Sequence, residues 1–152
     1  MNKKLLAVLV LLIVAVSMST ASASFLDDIF GSRQNVKIGD IDFSIPKGYN
    51  EDSSVKEAND LVNKYKSEGY NISFKTFVKD NTNFLGIGVM NVNNTQFNQS
   101  VLETNKTTIE NVTGSLTVNN DGSCLFAYLD PNNKTVVIIS NSKENIVELF
   151  KA

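Results

Sequence analysis

Two short apolar runs near the C-terminus, residues 125–129 and 136–139, constrain this chain more than any other feature. In the first, Leu125, Ala127 and Leu129 alternate with Phe126 and Tyr128, so an extended segment there is apolar on both faces. Such a strand needs cover on both sides and belongs inside a sheet. The second run is β-branched throughout and has the same character. Between them, Asp130-Pro131-Asn132-Asn133 has the residue types of a tight turn. Asn141 and Ser142 then offer caps for a helix carrying Ile146, Val147, Leu149 and Phe150. Residues 114–152 are therefore expected to form a strand unit closed by a helix, with the upstream chain added to its sheet.

Upstream, Val36-Lys37-Ile38 and Ile41-Asp42-Phe43-Ser44-Ile45 alternate around Gly39-Asp40. Glycine first in a two-residue connection suits a type II′ hairpin turn, and Pro46 ends the second strand. Ser54-Val55-Lys56-Glu57 reads as a capping box. Val55, Ala58, Leu61, Val62 and Tyr65 recur on one helical face, and Gly69 stands where a helix C-terminal glycine belongs. Residues 71–78 and 84–90 read as a hairpin around Asp80-Asn81-Thr82-Asn83. Gly86 and Gly88 share one face of its second strand, leaving a furrow for a helix or a ligand; helix packing is the commoner cause. Residues 96–104 read as a short helix and 107–109 as an extended piece. Leu116 and Val118 begin a strand that turns at Asn119-Asn120-Asp121-Gly122 into residues 124–129. The expected fold class is α+β: an antiparallel sheet of hairpins and a C-terminal meander, with helices packed mainly on one face.

Residues 1–23 have the three parts of a secretory signal peptide. Lys3 and Lys4 open it, an unbroken apolar run follows, and Ala21-Ser22-Ala23 suits cleavage after Ala23. The run, residues 5–16, is shorter than the roughly 20 apolar residues of a membrane-spanning helix. If it is retained, the segment acts as an uncleaved anchor; if it is removed, no stable membrane span is expected. Residues 24–35 read as a flexible lead-in, in which Phe25, Leu26, Ile29 and Phe30 are spaced along one face of a short helix. Residues 36–152 form the single expected domain, and the 129 residues left after cleavage are enough for a core without disulfide staples. Loss of Lys3 and Lys4 leaves 12 basic against 16 acidic residues. A charge of −4 argues against nucleic acid as a partner.

The residues that are missing exclude whole chemistries. Without histidine there is no Ser-His-Asp or Cys-His nucleophile and no histidine-containing zinc site. Cys124 is the one cysteine, so no intramolecular disulfide forms; it reads as a buried strand residue or as half of an intermolecular bridge. No glycine-rich phosphate loop occurs. Carboxylate chemistry remains, with Asp40 and Asp42 in the first hairpin and Glu51-Asp52 before the first helix. A glycosidase sets two carboxyls about 5–10 Å apart beneath a sugar groove. Asp80-Asn81-Thr82-Asn83 and Asn119-Asn120-Asp121-Gly122 carry oxygen ligands suited to calcium, but both are ordinary turn sequences. No cofactor is expected.

Asparagine supplies one signal above background. Asn-x-Ser/Thr occurs at Asn71, Asn93, Asn98, Asn105, Asn111 and Asn133. Composition alone predicts about three such triplets, and the motif is an acceptor of N-linked sugar in an exported, exposed context. The alternative is a drift of composition toward Asn. Asn133, at an expected turn tip, is the first acceptor to test.

The signal peptide, Phe25-Leu26-Asp27-Asp28-Ile29-Phe30, Phe43-Ser44-Ile45-Pro46-Lys47-Gly48-Tyr49, Thr108-Ile109-Glu110-Asn111-Val112-Thr113-Gly114 and the closing strand–helix unit together resemble a group of small exported proteins of methanogenic archaea. The resemblance implies a surface or extracytoplasmic location more than an activity. The Phe-x-Ile-Pro-x-Gly-aromatic segment is also similar to small α+β domains of the photosystem extrinsic-subunit type, which bind partners; there tryptophan more often stands where this chain has Tyr49. The expectation is an exported, non-catalytic domain that binds an unknown surface protein or polymer. The rival is a carboxylate-dependent hydrolase acting on cell-surface glycans. Acids converging in a cleft favour the rival, and acids scattered over an open surface count against it.

Overall fold

The computed structural model describes residues 32–54, 71–91 and 103–151, together with Asn59, Val62, Asn63, Lys66, Ser67 and Gly69. The signal segment, the cleavage position after Ala23 and most of the 24–35 lead-in lie outside the described residues.

Among the described residues nine strands follow in order: β1 Gln34–Ile38, β2 Ile41–Ile45, β3 Asn50–Glu51, β4 Asn71–Lys79, β5 Asn83–Asn91, β6 Lys106–Ile109, β7 Val112–Val118, β8 Cys124–Leu129 and β9 Thr135–Ser140. Helix α1, Lys143–Phe150, closes the chain. A 3₁₀ turn at Asp80–Thr82 joins β4 to β5. β1 and β2 form a two-stranded sheet; the other seven strands form one antiparallel sheet in the order β3-β4-β5-β9-β8-β7-β6.

The two apolar runs explain that order. β9 is buried at all six positions and β8 at its first four. A strand apolar on both faces is stable only with paired neighbours on both edges and side chains over both faces. β9 accordingly sits in the middle, between β5 and β8, although it is the last strand in sequence. Across it, Ile87, Ile138, Phe126 and Leu116 stand in one register row. That face joins Ile38, Phe43 and Ile45 of the small hairpin and Ile146 and Leu149 of α1 in a single core. Ile72, Val78, Met90, Leu125, Ala127, Val137 and Ile139, on the opposite face, are buried too. Each such side chain contributes about 1.5–3 kcal/mol relative to exposure, so the sheet carries most of the fold's stability.

This overturns the α+β expectation. The fold is mainly β: among the described residues strands take up 54% and helix 16%, and the one helix described from end to end is the short one at the C-terminus. The sheet gained strands where a lone extended piece at 107–109 and a strand beginning at Leu116 were expected. Thr107, Thr108, Ile109, Val112, Thr113, Thr117 and Val118 are β-branched, and they pair as β6 and β7. Asn50-Glu51 adds a further edge. The expected 96–104 helix lies outside the described residues except for its end, where Glu103 is helical. Within the expected 54–69 helix, Asn59, Val62, Asn63, Lys66 and Ser67 are helical and Val62 is buried. Val55, Ala58, Leu61 and Tyr65 lie outside the described residues.

The turns follow their residues closely. Gly39 has a φ of 61° in the two-residue connection between the paired Ile38 and Ile41. Asp130 accepts backbone hydrogen bonds from Asn132 at 3.0 Å and Lys134 at 2.6 Å, closing the β8–β9 turn. Asp121 does the same for Ser123 at 3.0 Å and accepts its hydroxyl at 2.6 Å. These bonds, the hydroxyl's first, hold the Asp121 carboxyl below its usual range. The β6–β7 turn is the exception, because Glu110 holds a left-handed φ of 52°. An L-residue there is strained where glycine is not. Glu110→Gly is expected to raise stability by about 0.5–1 kcal/mol, read as a higher urea midpoint at unchanged slope.

A polar knot joins β5, β9 and α1. The Ser140 hydroxyl donates to the Phe84 carbonyl at 2.6 Å, and the Asn145 amide donates to Ser140 Oγ and Asn141 Oδ1, each at 3.0 Å. Ser142 caps the helix by accepting from Asn145 N at 3.4 Å. At the other end of α1, Arg33 donates to the Glu148 carbonyl at 3.2 Å and the Leu149 carbonyl at 2.7 Å. It also donates to Ser44 Oγ at 3.0 Å and Ser44 O at 2.8 Å. The last residues of the expected flexible lead-in are thus fastened to both β2 and the helix.

Candidate functional site

The β1–β2 turn comes down onto the large sheet beside the β8–β9 turn. A Cβ on Gly39 would lie 3.5 Å from the Cβ atoms of Ser73 and Val89, so the backbone approaches the sheet closely there. Gly39, Asp40, Asn71, Ser73, Val89 and Lys134 line an open crevice of about 200 Å³ at this seam. Lys134 reaches it from a backbone fixed by Asp130, through its amide donated to the carboxylate and its carbonyl accepting from Asp130 N at 2.9 Å. Its ammonium pairs with the Asp40 carboxylate. The lysine side chain is only 14% exposed and the aspartate 66%, so the charge pair is anchored from the lysine side. Ser73 and Val89 face each other across β4 and β5, and Asn71 opens β4. No local pattern announces this meeting of residues, since Asp40, Asn71 and Lys134 belong to three separate turns or strand ends.

Three of the acids are each paired with a lysine. Glu51 pairs with Lys75 at 2.7 Å, Lys79 with Glu148 at 3.6 Å, and Asp40 with Lys134. Asp42 is exposed on β2 opposite Lys37. Asp52 holds Ser54 N at 2.8 Å and its hydroxyl at 2.6 Å. Among the described residues no group of three acidic, cysteine or histidine side chains could hold a metal ion. Asp80-Asn81-Thr82 forms the 3₁₀ turn, and Asp121 is engaged with Ser123.

The Gly86/Gly88 furrow is filled from within. Phe74, on the neighbouring strand and paired with Gly88, lays its ring across both glycines. A Cβ on Gly86 would stand 2.8 Å from Phe74 Cζ and 3.0 Å from Ile139 Cγ1, and one on Gly88 3.1 Å from Phe74 Cδ2. Neither a helix nor a ligand is needed to account for the two glycines.

Cys124 is 1% exposed and its thiol donates to the Gly122 carbonyl at 3.3 Å. Burial pushes the thiol's pKa up, so it is placed as a small core residue and poorly placed for a bridge to another chain. Tyr49, in the segment that carries the Phe-x-Ile-Pro-x-Gly-aromatic likeness, is buried with its ring 5.7 Å from the Lys79 ammonium. Burial, then the charges of Glu148 and Asp80, raises its pKa well above the ordinary tyrosine range.

Of the expected sugar acceptors, Asn93 and Asn98 lie outside the described residues. Asn71, Asn105, Asn111 and Asn133 are all exposed. Their hydroxyl partners differ: Thr113 is exposed, Thr107 and Ser73 are half-buried, and Thr135 is fully buried. No helix among the described residues is long and apolar enough to cross a membrane. Set against protein-family models, curated proteins and solved structures, the chain matches none.

Proposed function

We propose that this chain is an exported, non-catalytic domain that binds a surface protein or polymer at the seam between the β1–β2 hairpin and the large sheet. The observation that carries the reading is the lining of that crevice. Asp40, Lys134, Asn71 and Ser73 bring a carboxylate, an ammonium, an amide and a hydroxyl to one concave patch, with Val89 as its apolar wall. Such a set suits a partner rich in hydroxyl or amide groups. Its volume of about 200 Å³ is below the roughly 300–1,000 Å³ of pockets that enclose a whole small molecule. It therefore accommodates one unit of a chain, a sugar or a loop tip, with the rest of the partner outside. Export is supported by the positive start, the apolar run and the small-residue cleavage signature of residues 1–23.

The test is crosslinking of the native protein on intact cells, followed by mass spectrometry of its neighbours and of its N-terminus. Lys134→Ala removes an ion pair whose aspartate end is 66% exposed, at a cost in stability of about 1 kcal/mol. The variant is expected to stay folded while its crosslinked yield falls at least about tenfold, since a charged hydrogen bond in a contact is worth about 1.5–3 kcal/mol. An unchanged yield would remove the crevice from the reading, and Met1 recovered in a cytoplasmic pool would remove the export.

A further inference from the structure

The geometry points to Asn105 and Asn111 as a pair of N-glycosylation sites whose sugars screen the β6 edge of the sheet from pairing with a second copy of this chain. The inference rests on the export reading above. β6 is the terminal strand of the seven and pairs with β7 alone among the described residues. A terminal strand presents a row of free N–H and C=O groups, a template for another chain, and proteins blunt such edges by shortening, charging or covering them. β6 is short and begins with Lys106, which does part of that work. The two asparagines complete it by position. Asn105 immediately precedes the strand, and Asn111 lies in the two-residue turn that follows it. Strand rise places them about 15 Å apart, one at each end of the edge.

The backbone sets both side chains outside the ladder. Asn105 has a φ of 51°, and its carbonyl accepts from Leu116 N at 3.2 Å, so the chain is pinned to β7 where it bends away. Asn111 is exposed at the hairpin tip beside the strained Glu110. The hydroxyls of the two motifs remain reachable in the folded protein. Thr113 is exposed, its Oγ1 2.9 Å from that of Thr108, and Thr107 is only half-buried. At Asn133 the required Thr135 is sealed in the sheet at 0% exposure, and at Asn71 the required Ser73 lines the crevice. Asn133, first choice from sequence, therefore ranks behind the β6 pair.

The donor is a lipid-phosphate-linked oligosaccharide, supplied with its transferase by the host. The side-chain amide nitrogen forms a bond to the anomeric carbon and loses a proton. The bond from that carbon to the phosphate oxygen breaks, and the phosphate leaves with the electron pair. No redox change occurs.

Glycopeptide mass spectrometry of the full chain, recovered from the surface of a host that N-glycosylates exported proteins, should find sugar on both Asn105 and Asn111. The same sequence made in a host lacking the transferase gives sugar-free protein without any substitution. By light scattering it should shift from monomer to dimer or larger species at concentrations where the glycosylated protein stays monomeric. A T107A/T113A double variant from the first host should lose both sugars and show the same shift. A chain retained inside the cell with Met1 intact overturns the export reading and this inference with it. A chain exported and trimmed, with sugar on only one of the two positions or on neither, overturns this inference alone. So does sugar-free protein as monomeric as the glycosylated form.

Discussion

Alanine at Gly114 is expected to cost about 3 kcal/mol or more, a large share of a domain's whole stability. Gly114 is buried in β7, paired with Thr107 on one side and Tyr128 on the other. A Cβ there would run into the Ala127 carbonyl oxygen and stand 2.9 Å from both Phe126 Cζ and Tyr128 Cβ. The carbonyl belongs to the backbone of β8, an interior strand, and moving it breaks ladder hydrogen bonds on two sides. A flexible side chain could yield; a paired strand cannot. Urea unfolding of Gly114→Ala should show a much lower midpoint, or no cooperative transition. Val118→Ala in the same strand, at a position 57% exposed, should stay within about 0.5 kcal/mol of the parent. A Gly114→Ala midpoint equal to that of Val118→Ala would refute the backbone-contact account.

Arg33→Ala should cost about 2 kcal/mol, the scale of hydrogen bonds made by a charged group. One guanidinium satisfies two carbonyls at the C-terminus of α1 and grips both the hydroxyl and the carbonyl of Ser44. A cation there also meets the negative end of the helix dipole. Arg33→Lys keeps the charge but not the fork of donors, so it should recover less than half of the loss. Thermal unfolding of the two variants separates the contributions: equal losses would assign the effect to hydrogen-bond geometry, and full rescue by lysine would assign it to charge. Amide exchange at Leu149 and Phe150 should quicken in Arg33→Ala, because the helix end loses its anchor.

Much of the secondary structure is legible residue by residue. The Gly39-Asp40 hairpin, the β4–β5 pair around Asp80, the Asp130 turn and the Ser142 cap each depend on residues within a few positions of one another. The two-faced apolar character of residues 125–129 and 136–139 correctly placed them inside a sheet. The fold class was not legible. Thr107, Thr108 and Thr113 suit a strand or a loop, and only pairing with β8 made β6 and β7 a continuation of the sheet. The Gly86/Gly88 furrow was visible, but its occupant, Phe74, is set by cross-strand register. The crevice had no signature, because its charge pair joins Asp40 to Lys134 across most of the chain. Arg33 looked like part of a loose leader because its partners in the helix lie more than a hundred residues away.

The amino-acid order by itself determined which segments are extended, where they turn, which strands demand burial on both faces, and which catalytic chemistries lack their residues. The tertiary structure decided that the last strand lies at the centre, that the first hairpin stands apart as its own two-stranded sheet, and that the sheet reaches seven strands. The reason is the range of the forces involved. Turn and cap preferences act over a few bonds, whereas the choice of strand neighbour is a contest among distant segments to cover the same apolar surface and pair the same backbone groups.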